Sequence, residues 1–233
     1  MLFQWDESRI RWFLAASDYT GFHKKLSEKI IPHIEPGSTL CDAGCGLGRL
    51  DLELAAYVKR LTAVDINENV IDALRRDAEK LGLQNLHARA GDASSMTETF
   101  DIVLMSFFGK SGVENYLKLC RRKLVRIVNA DNKSSLYPES HRSIEKDTVP
   151  IVQKELEDLR IAYKLELYSM EFGQPFRSRR DAEQFVQNNA PKATEAEISS
   201  FLNDRITLTG RSDFPLYLPN RKELGIFIID KED

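Results

Sequence analysis

Leu40-Cys41-Asp42-Ala43-Gly44-Cys45-Gly46-Leu47-Gly48-Arg49 places an acid at a strand end, then three glycines at alternate positions, then a helix start. Glycine at such a turn permits positive φ angles and lets a ligand approach bare backbone. A dinucleotide-binding loop reads Gly-x-Gly-x-x-Gly, with the pyrophosphate facing the helix N-terminus. Here the third glycine comes one residue early and Arg49 takes its place, which disfavours NAD or FAD. A P-loop is excluded because no Gly-Lys-Ser/Thr follows. Asp65 lies 21 residues beyond Gly44, closing Leu61-Thr62-Ala63-Val64-Asp65. A carboxylate at that strand tip accepts hydrogen bonds from both ribose hydroxyls. Gly91-Asp92-Ala93 follows the next apolar run, where a second carboxylate accepts from an adenine amino group. Together these residues make a nucleoside pocket.

The elements that must position them follow from periodicity. Residues 1–35 are predicted helical, with Ile10, Phe13 and Leu14 and then Phe22, Leu26, Ile30 and Ile34 at helical spacing, closed by Pro36-Gly37. Short apolar runs then alternate with helical patterns, the signature of a parallel sheet with crossover helices. Strands are predicted at 39–43, 61–65, 86–89, 100–106 and 124–128. Helices are predicted at 49–57 and from Asn67, a good N-cap, through Val70, Leu74, Ala78 and Leu81 to Gly82. Arg121, Arg122, Lys123 and Arg126 are expected at a helix C-terminus, where cations are favoured. Beyond these, 147–159 reads as a helix, 163–172 as a long strand and 224–230 as a final strand. The intervening 173–223 carries helical patterns at 181–188 and 195–203. A hairpin loop has about 2 to 5 residues, so this stretch is an inserted element that covers or shapes a site.

In its four ordered blocks the sequence closely resembles the class I S-adenosylmethionine-dependent methyltransferases. The blocks are Asp42-x-Gly44-x-Gly46-x-Gly48, Val64-Asp65-Ile66, Gly91-Asp92-Ala93 and Phe100-Asp101-Ile102-Val103-Leu104-Met105-Ser106. The likeness covers residues 19–128 well and the last two strands loosely. It implies a three-layer, doubly wound Rossmann-like α/β fold, with a mostly parallel seven-stranded sheet, an antiparallel last strand and a helical insertion before it. It further implies one domain over 1–233: a helical lid at 1–35, the core at 36–172 and 224–233, and a substrate cap at 173–223. On the same ground S-adenosyl-L-methionine is the expected cofactor, with Gly44, Cys45 and Gly46 along its methionine part and Asp42 orienting its amino group. Asp65 would hold the ribose, Ile66 pack on adenine, and Asp92 with the Ala93 backbone read the adenine edge. Ser106 and Phe107 would open onto the methyl group. Ser106-Phe107-Phe108-Gly109 departs from the Asn/Asp-Pro-Pro-Tyr/Phe signature of nucleobase and amide nitrogen methylation.

The reaction then expected is in-line methyl transfer to a small-molecule nucleophile. The alternatives are a non-catalytic cofactor-binding sensor or partner subunit, and a protein or RNA methyltransferase. A general base is needed only for a nucleophile that carries a proton. The sequence singles none out, leaving Tyr19 and His141 as candidates. Arg177, with Arg179 and Arg180, could grip an anionic substrate. The 233 residues carry 33 Lys+Arg against 36 Asp+Glu, a net charge of −3 that offers no global attraction to nucleic acid. With 42% hydrophobic and 30% charged residues, disordered, collagen-like and coiled-coil classes are excluded. No charge-free apolar stretch approaches the roughly 20 residues that span a bilayer, and the first seven residues lack the basic start and apolar core of a secretion signal. Cys41, Cys45 and Cys120 form neither a secreted disulfide framework nor a zinc ligand set. No metal and no membrane partner are expected, nucleic acid is disfavoured, and the expected location is the cytoplasm.

Overall fold

The computed structural model describes residues 5–108, 112–133, 135–138 and 147–231. Helix α1 (Glu7–Thr20) starts where Asp6 accepts from the Arg9 amide and stops at Gly21, which takes the left-handed conformation at φ 63°. Helix α2 (Phe22–Ile30) follows. Then come β1 (Thr39–Ala43), α3 (Arg49–Leu54), β2 (Arg60–Asp65), α4 (Glu68–Lys80), β3 (Leu86–Ala90) and β4 (Phe100–Ser106). Asn67 caps α4, and Val70, Ile71, Leu74 and Ala78 form its buried stripe. The chain continues through α5 (Glu114–Leu117), β5 (Cys120–Asn129), α6 (Val149–Asp158), β6 (Lys164–Glu171) and β7 (Gln174–Phe176). It ends with α7 (Arg179–Asn189), α8 (Glu195–Arg205), β8 (Thr207–Leu208), β9 (Leu216–Leu218) and β10 (Arg221–Asp230).

The main sheet has seven strands in the order β3-β2-β1-β4-β5-β10-β6. Strands β1 to β5 pair in parallel and β10 runs antiparallel to β5. The expected Rossmann-like α/β architecture is therefore the observed one. Order reverses between β1 and β4, and in open α/β sheets that switch point, at the carboxyl ends of the strands, is where ligands bind.

Two elements differ from expectation. Strand β5 begins at Cys120, so Arg121, Arg122, Lys123 and Arg126 lie inside a strand and not at a helix C-terminus. Arg121 meets Asp101 and Arg122 meets Glu35, both at exposed positions, whereas Arg126 is buried between Asp147 and Glu155. The insertion holds both expected helices, as α7 and α8, but also a three-stranded antiparallel sheet, β7-β9-β8. Strands of two or three residues are too short for alternation to register in sequence.

The chain divides into two compact units: Met1–Phe22, Asn132–Glu145 and Ser169–Glu223 in one, and His23–Asp131, Lys146–Tyr168 and Leu224–Asp233 in the other. The N-terminal segment expected as one lid is thus shared between them. The core of the second unit gathers Val103, Met105, Tyr116, Leu124, Leu156 and Phe227.

In the first unit Trp12 packs edge-on against Phe185, with ring centroids 5.3 Å apart. Beside them Asp181 is buried and accepts from the Arg11 guanidinium at 2.8 Å, Trp12 Nε1 at 2.9 Å and the Arg177 amide at 3.1 Å. Burial pushes this carboxyl up, but the hydrogen bonds from Arg11, Trp12 and Arg177 outweigh it and hold the group below the usual carboxylate range. A depressed folded pKa contributes stability that is present above the unfolded value and lost as pH falls through the folded one. Asp181→Ala is expected to cost about 2 kcal/mol near neutrality, from lost bonds to a charged acceptor. In thermal unfolding from pH 7 to pH 3, the gap between variant and wild type should narrow below about pH 4; a constant gap would assign the loss to packing.

Candidate functional site

At the carboxyl end of β1 the backbone turns through Gly44, Gly46 and Gly48 with φ of 75°, 55° and 63°. All three are in the left-handed region that favours glycine. The Gly44 and Cys45 amides donate to Val64 O at 2.8 and 3.0 Å, pinning the turn to β2. Asp65, at the end of β2, accepts from the Gly46 amide at 2.9 Å and from the Asn67 amide at 2.9 Å. One carboxylate therefore fixes both the glycine turn and the start of α4. The next side chain, Ile66, is 52% exposed, an apolar surface left free beside that carboxylate.

Beyond β3, Asp92 caps the short turn Ala93–Ser95, accepting from the Ser94 amide at 2.8 Å and Ser94 Oγ at 2.7 Å. These Ser94 bonds hold the exposed Asp92 carboxyl below its ordinary range. Ala93 is buried. Ser106 ends β4, and Phe107 follows with φ 51°, its amide bonded to Ile127 O at 2.8 Å. A non-glycine residue there is strained. Phe108 then lays its ring on the glycine turn: a Cβ added at Gly44 would meet it at 2.0 Å. The ends of β1 and β4, the two sides of the switch point, are thus in contact through Phe108 and Gly44. Gly44→Ala would combine a positive φ with that overlap, and its tightly folded turn should then deform. We expect a loss of cofactor binding of at least about tenfold, the equivalent of 1.4 kcal/mol, measured calorimetrically with S-adenosylhomocysteine.

Beneath the turn lies a pair that sequence reasoning half missed. Asp42 is buried in β1, and Asp51 is fully buried in the first turn of α3. Asp42 Oδ1 and both Asp51 carboxyl oxygens are buried without a hydrogen-bond partner. Burial, with the charge of Asp42 added, pushes Asp51 well above the carboxylate range. Asp42 is pushed up to about 7 by burial, with Asp51 holding it down and the Asp65 charge raising it. The available signal for Asp51 was an acid between Leu50 and Leu54, the apolar stripe of α3. Burial and the surrounding acids push the Cys45 thiol up.

Tyr19 belongs to the first unit, stacked on Tyr217 at 4.9 Å, edge-on to Phe214 and covered by the Arg211 guanidinium. His141 lies outside the described residues. Arg177 lines a cavity of about 470 Å³ in the first unit, with Ile10, Leu14, Pro175 and Phe214 among its walls. Among the described residues, no group of three or more His, Cys, Asp or Glu could hold a metal, and no helix is long and apolar enough to cross a membrane.

A family model described as a methyltransferase domain matches residues 34–179. The chain belongs to the class I S-adenosylmethionine-dependent methyltransferases.

The chain is 25% identical over 99 residues to a probable cobalt-precorrin-6B C(15)-methyltransferase (decarboxylating) of Methanococcus maripaludis, covering 42% of this chain and 55% of that one. It is 29% identical over 124 residues to a 23S rRNA (uracil(1939)-C(5))-methyltransferase of Stenotrophomonas maltophilia, covering 48% of this chain and 28% of that one. The matches therefore span about half, or less, of these curated relatives. Among solved structures, YcgJ of Bacillus subtilis superposes with a TM-score of 0.59 at 14% identity, covering 89% of this chain and 98% of that one. An S-adenosylmethionine-dependent methyltransferase of Aquifex aeolicus gives 0.57 at 15% identity, covering 97% and 100%. At such identities the structures speak for the fold alone.

The family cofactor is S-adenosylmethionine, and the chain offers matching chemistry at each end of the molecule. Asp65 and the exposed Ile66 suit a ribose and an adenine face, and a Cβ at Gly91 would meet open space. At the other end, the orphaned oxygens of Asp42 and Asp51 beneath the glycine turn suit a cationic amino acid group. Asp51, Phe108 and Arg126 are the residues that the sequence alone did not place.

Proposed function

We propose that this protein transfers the methyl group of S-adenosylmethionine to a small-molecule nucleophile in the cytoplasm. The single observation that carries the reading is the carboxylate of Asp65 joining the glycine turn to β2 beside a free apolar surface at Ile66. In this reading Asp65 receives the ribose hydroxyls, Ile66 supports the adenine, and the exposed Asp92 with the Ala93 amide reads the adenine edge. Asp42 draws the α-ammonium to the glycine turn. Phe107 and Phe108, at the end of β4, wall the methyl side and keep water from it. The cofactor supplies an activated methyl group, so the protein need only align the nucleophile, and positioning alone contributes roughly 7 to 11 kcal/mol.

The small-molecule assignment draws on three features. The net charge of −3 gives nucleic acid no attraction. Arg11, Arg121, Arg126 and Arg179 each pair with a carboxylate of this chain, Arg126 in a buried setting and the others nearer the surface. The roughly 470 Å³ cavity beside Arg177 falls in the ordinary range for small ligands, and we assign Arg177 to an anionic group of the acceptor. The N-terminal helix and residues 173–223 then serve as the substrate-recognising part of one methyltransferase domain. The cytoplasmic assignment draws on three free cysteines. The test is transfer of label from methyl-tritiated S-adenosylmethionine into separated small-molecule, protein and RNA fractions of a cell extract. Label in a small-molecule product separated from the unreacted donor is expected, and transferred label confined to RNA or protein would overturn the substrate class.

A further inference from the structure

Two buried carboxyl groups face each other under the glycine turn, Asp42 on β1 and Asp51 on α3. Three of their four oxygens are buried without a hydrogen-bond partner. Asp65 at the end of β2 adds a further negative charge beside Asp42, and the pair in turn raises the thiols of Cys41 on β1 and Cys45 in the turn. Two like charges so placed, and so far from water, cannot both be ionised; one retains a proton. A buried polar group left unsatisfied calls for a role or a ligand.

We propose that Asp51 is the proton-holding partner of Asp42, presenting a neutral carboxyl to it, so that capture of the cofactor's α-ammonium is coupled to release of a proton from the pair. Asp51 is a positioning residue: it acts on the cofactor through Asp42. The inference rests on the cofactor reading above and deepens it. When the pair carries two protons, the arriving ammonium expels one to solvent, and Asp42 becomes the carboxylate that pairs with it. When the pair carries one proton, binding releases none. Affinity then rises with pH until the pair has lost its first proton, which burial places near neutrality.

The test compares two ligands by calorimetry between pH 5.5 and 8, in buffers of different ionisation enthalpy. S-Adenosylhomocysteine carries the α-ammonium; 5′-methylthioadenosine shares the adenosine but lacks the amino acid. S-Adenosylhomocysteine should release close to one proton on the acid side and weaken about tenfold per pH unit there, the slope of one linked proton. Methylthioadenosine should bind with no proton release and no pH dependence. Asp51→Asn, which keeps a neutral donor, should retain the pH midpoint. Asp51→Leu should move the midpoint upward and weaken S-adenosylhomocysteine about tenfold at pH 7, with methylthioadenosine unchanged as the control for folding.

Methylthioadenosine binding alongside S-adenosylhomocysteine binding without proton release would overturn this inference and leave the cofactor site standing. If neither ligand binds, both fall. A midpoint unmoved in Asp51→Leu would return Asp51 to a packing role.

Discussion

Asp65→Ala should weaken S-adenosylhomocysteine binding by about 100-fold, close to 2.7 kcal/mol. Two losses add. The variant removes the acceptor proposed for the ribose hydroxyls, and a hydrogen bond to a charged group contributes roughly 1.5 to 3 kcal/mol. It also frees the Gly46 and Asn67 amides, which one carboxylate now holds at 2.9 Å each. The glycine turn would then have to be ordered by the ligand itself. Asp65→Asn keeps one acceptor oxygen and can serve only one of those amides, so its loss should be intermediate. Calorimetric titration of both variants provides the check, with far-ultraviolet circular dichroism confirming the fold. An Asp65→Ala protein that binds as tightly as wild type would move the ribose elsewhere.

The second large effect is on stability. Arg126 is 1% exposed, inside β5, and its guanidinium joins Asp147 and Glu155 of the α6 region, the latter at 2.6 Å. Glu155 also accepts the Val113 amide at 2.6 Å, so the same carboxylate anchors the segment leading into α5. Arg126→Met removes the cation and leaves two carboxylates facing apolar surroundings. Breaking a buried ion pair in this way typically costs about 3 to 5 kcal/mol, a large part of the stability of a domain. Urea unfolding should show the midpoint falling by that equivalent with an unchanged slope. In the triple variant Arg126→Met, Glu155→Gln, Asp147→Asn much of the loss should return, because no unpaired charge then remains. A change below about 1 kcal/mol in the single variant would show that the network is solvated and weak.

The contrast between these residues explains what the sequence disclosed. Asp65 and the glycine turn were legible because backbone geometry fixes their spacing: one helix, α3, and one strand, β2, carry the chain from Gly44 to Asp65, and the positive φ angles at Gly44, Gly46 and Gly48 demand the residue type. The parallel strands announced themselves as apolar runs. Strand β5 was shortened in the reading because Arg121 and Arg122 lie exposed on its first turns of pleat, and a charged run hides a strand from a hydrophobic pattern. Arg126 could not be recognised as buried, since its partners Asp147 and Glu155 are 21 and 29 residues away. Asp51 was passed over, because an acid near a helix start is ordinarily favourable there and needs no partner. Only the packing of α3 reveals that it is enclosed beside Asp42. The division of the chain into two units rests on contacts between distant segments, such as Trp12 with Asp181 and Phe185, which no local pattern encodes.

A crystal structure with S-adenosylhomocysteine bound is the most direct measurement. We expect the ribose hydroxyls on Asp65, the adenine against Ile66 and the amino acid end over Gly44 and Gly46 with its ammonium toward Asp42. Ligand density elsewhere on the protein, or an adenosine with no contact to Asp65 in a fully occupied site, would contradict the assignment of the turn between β1 and α3 as the cofactor site.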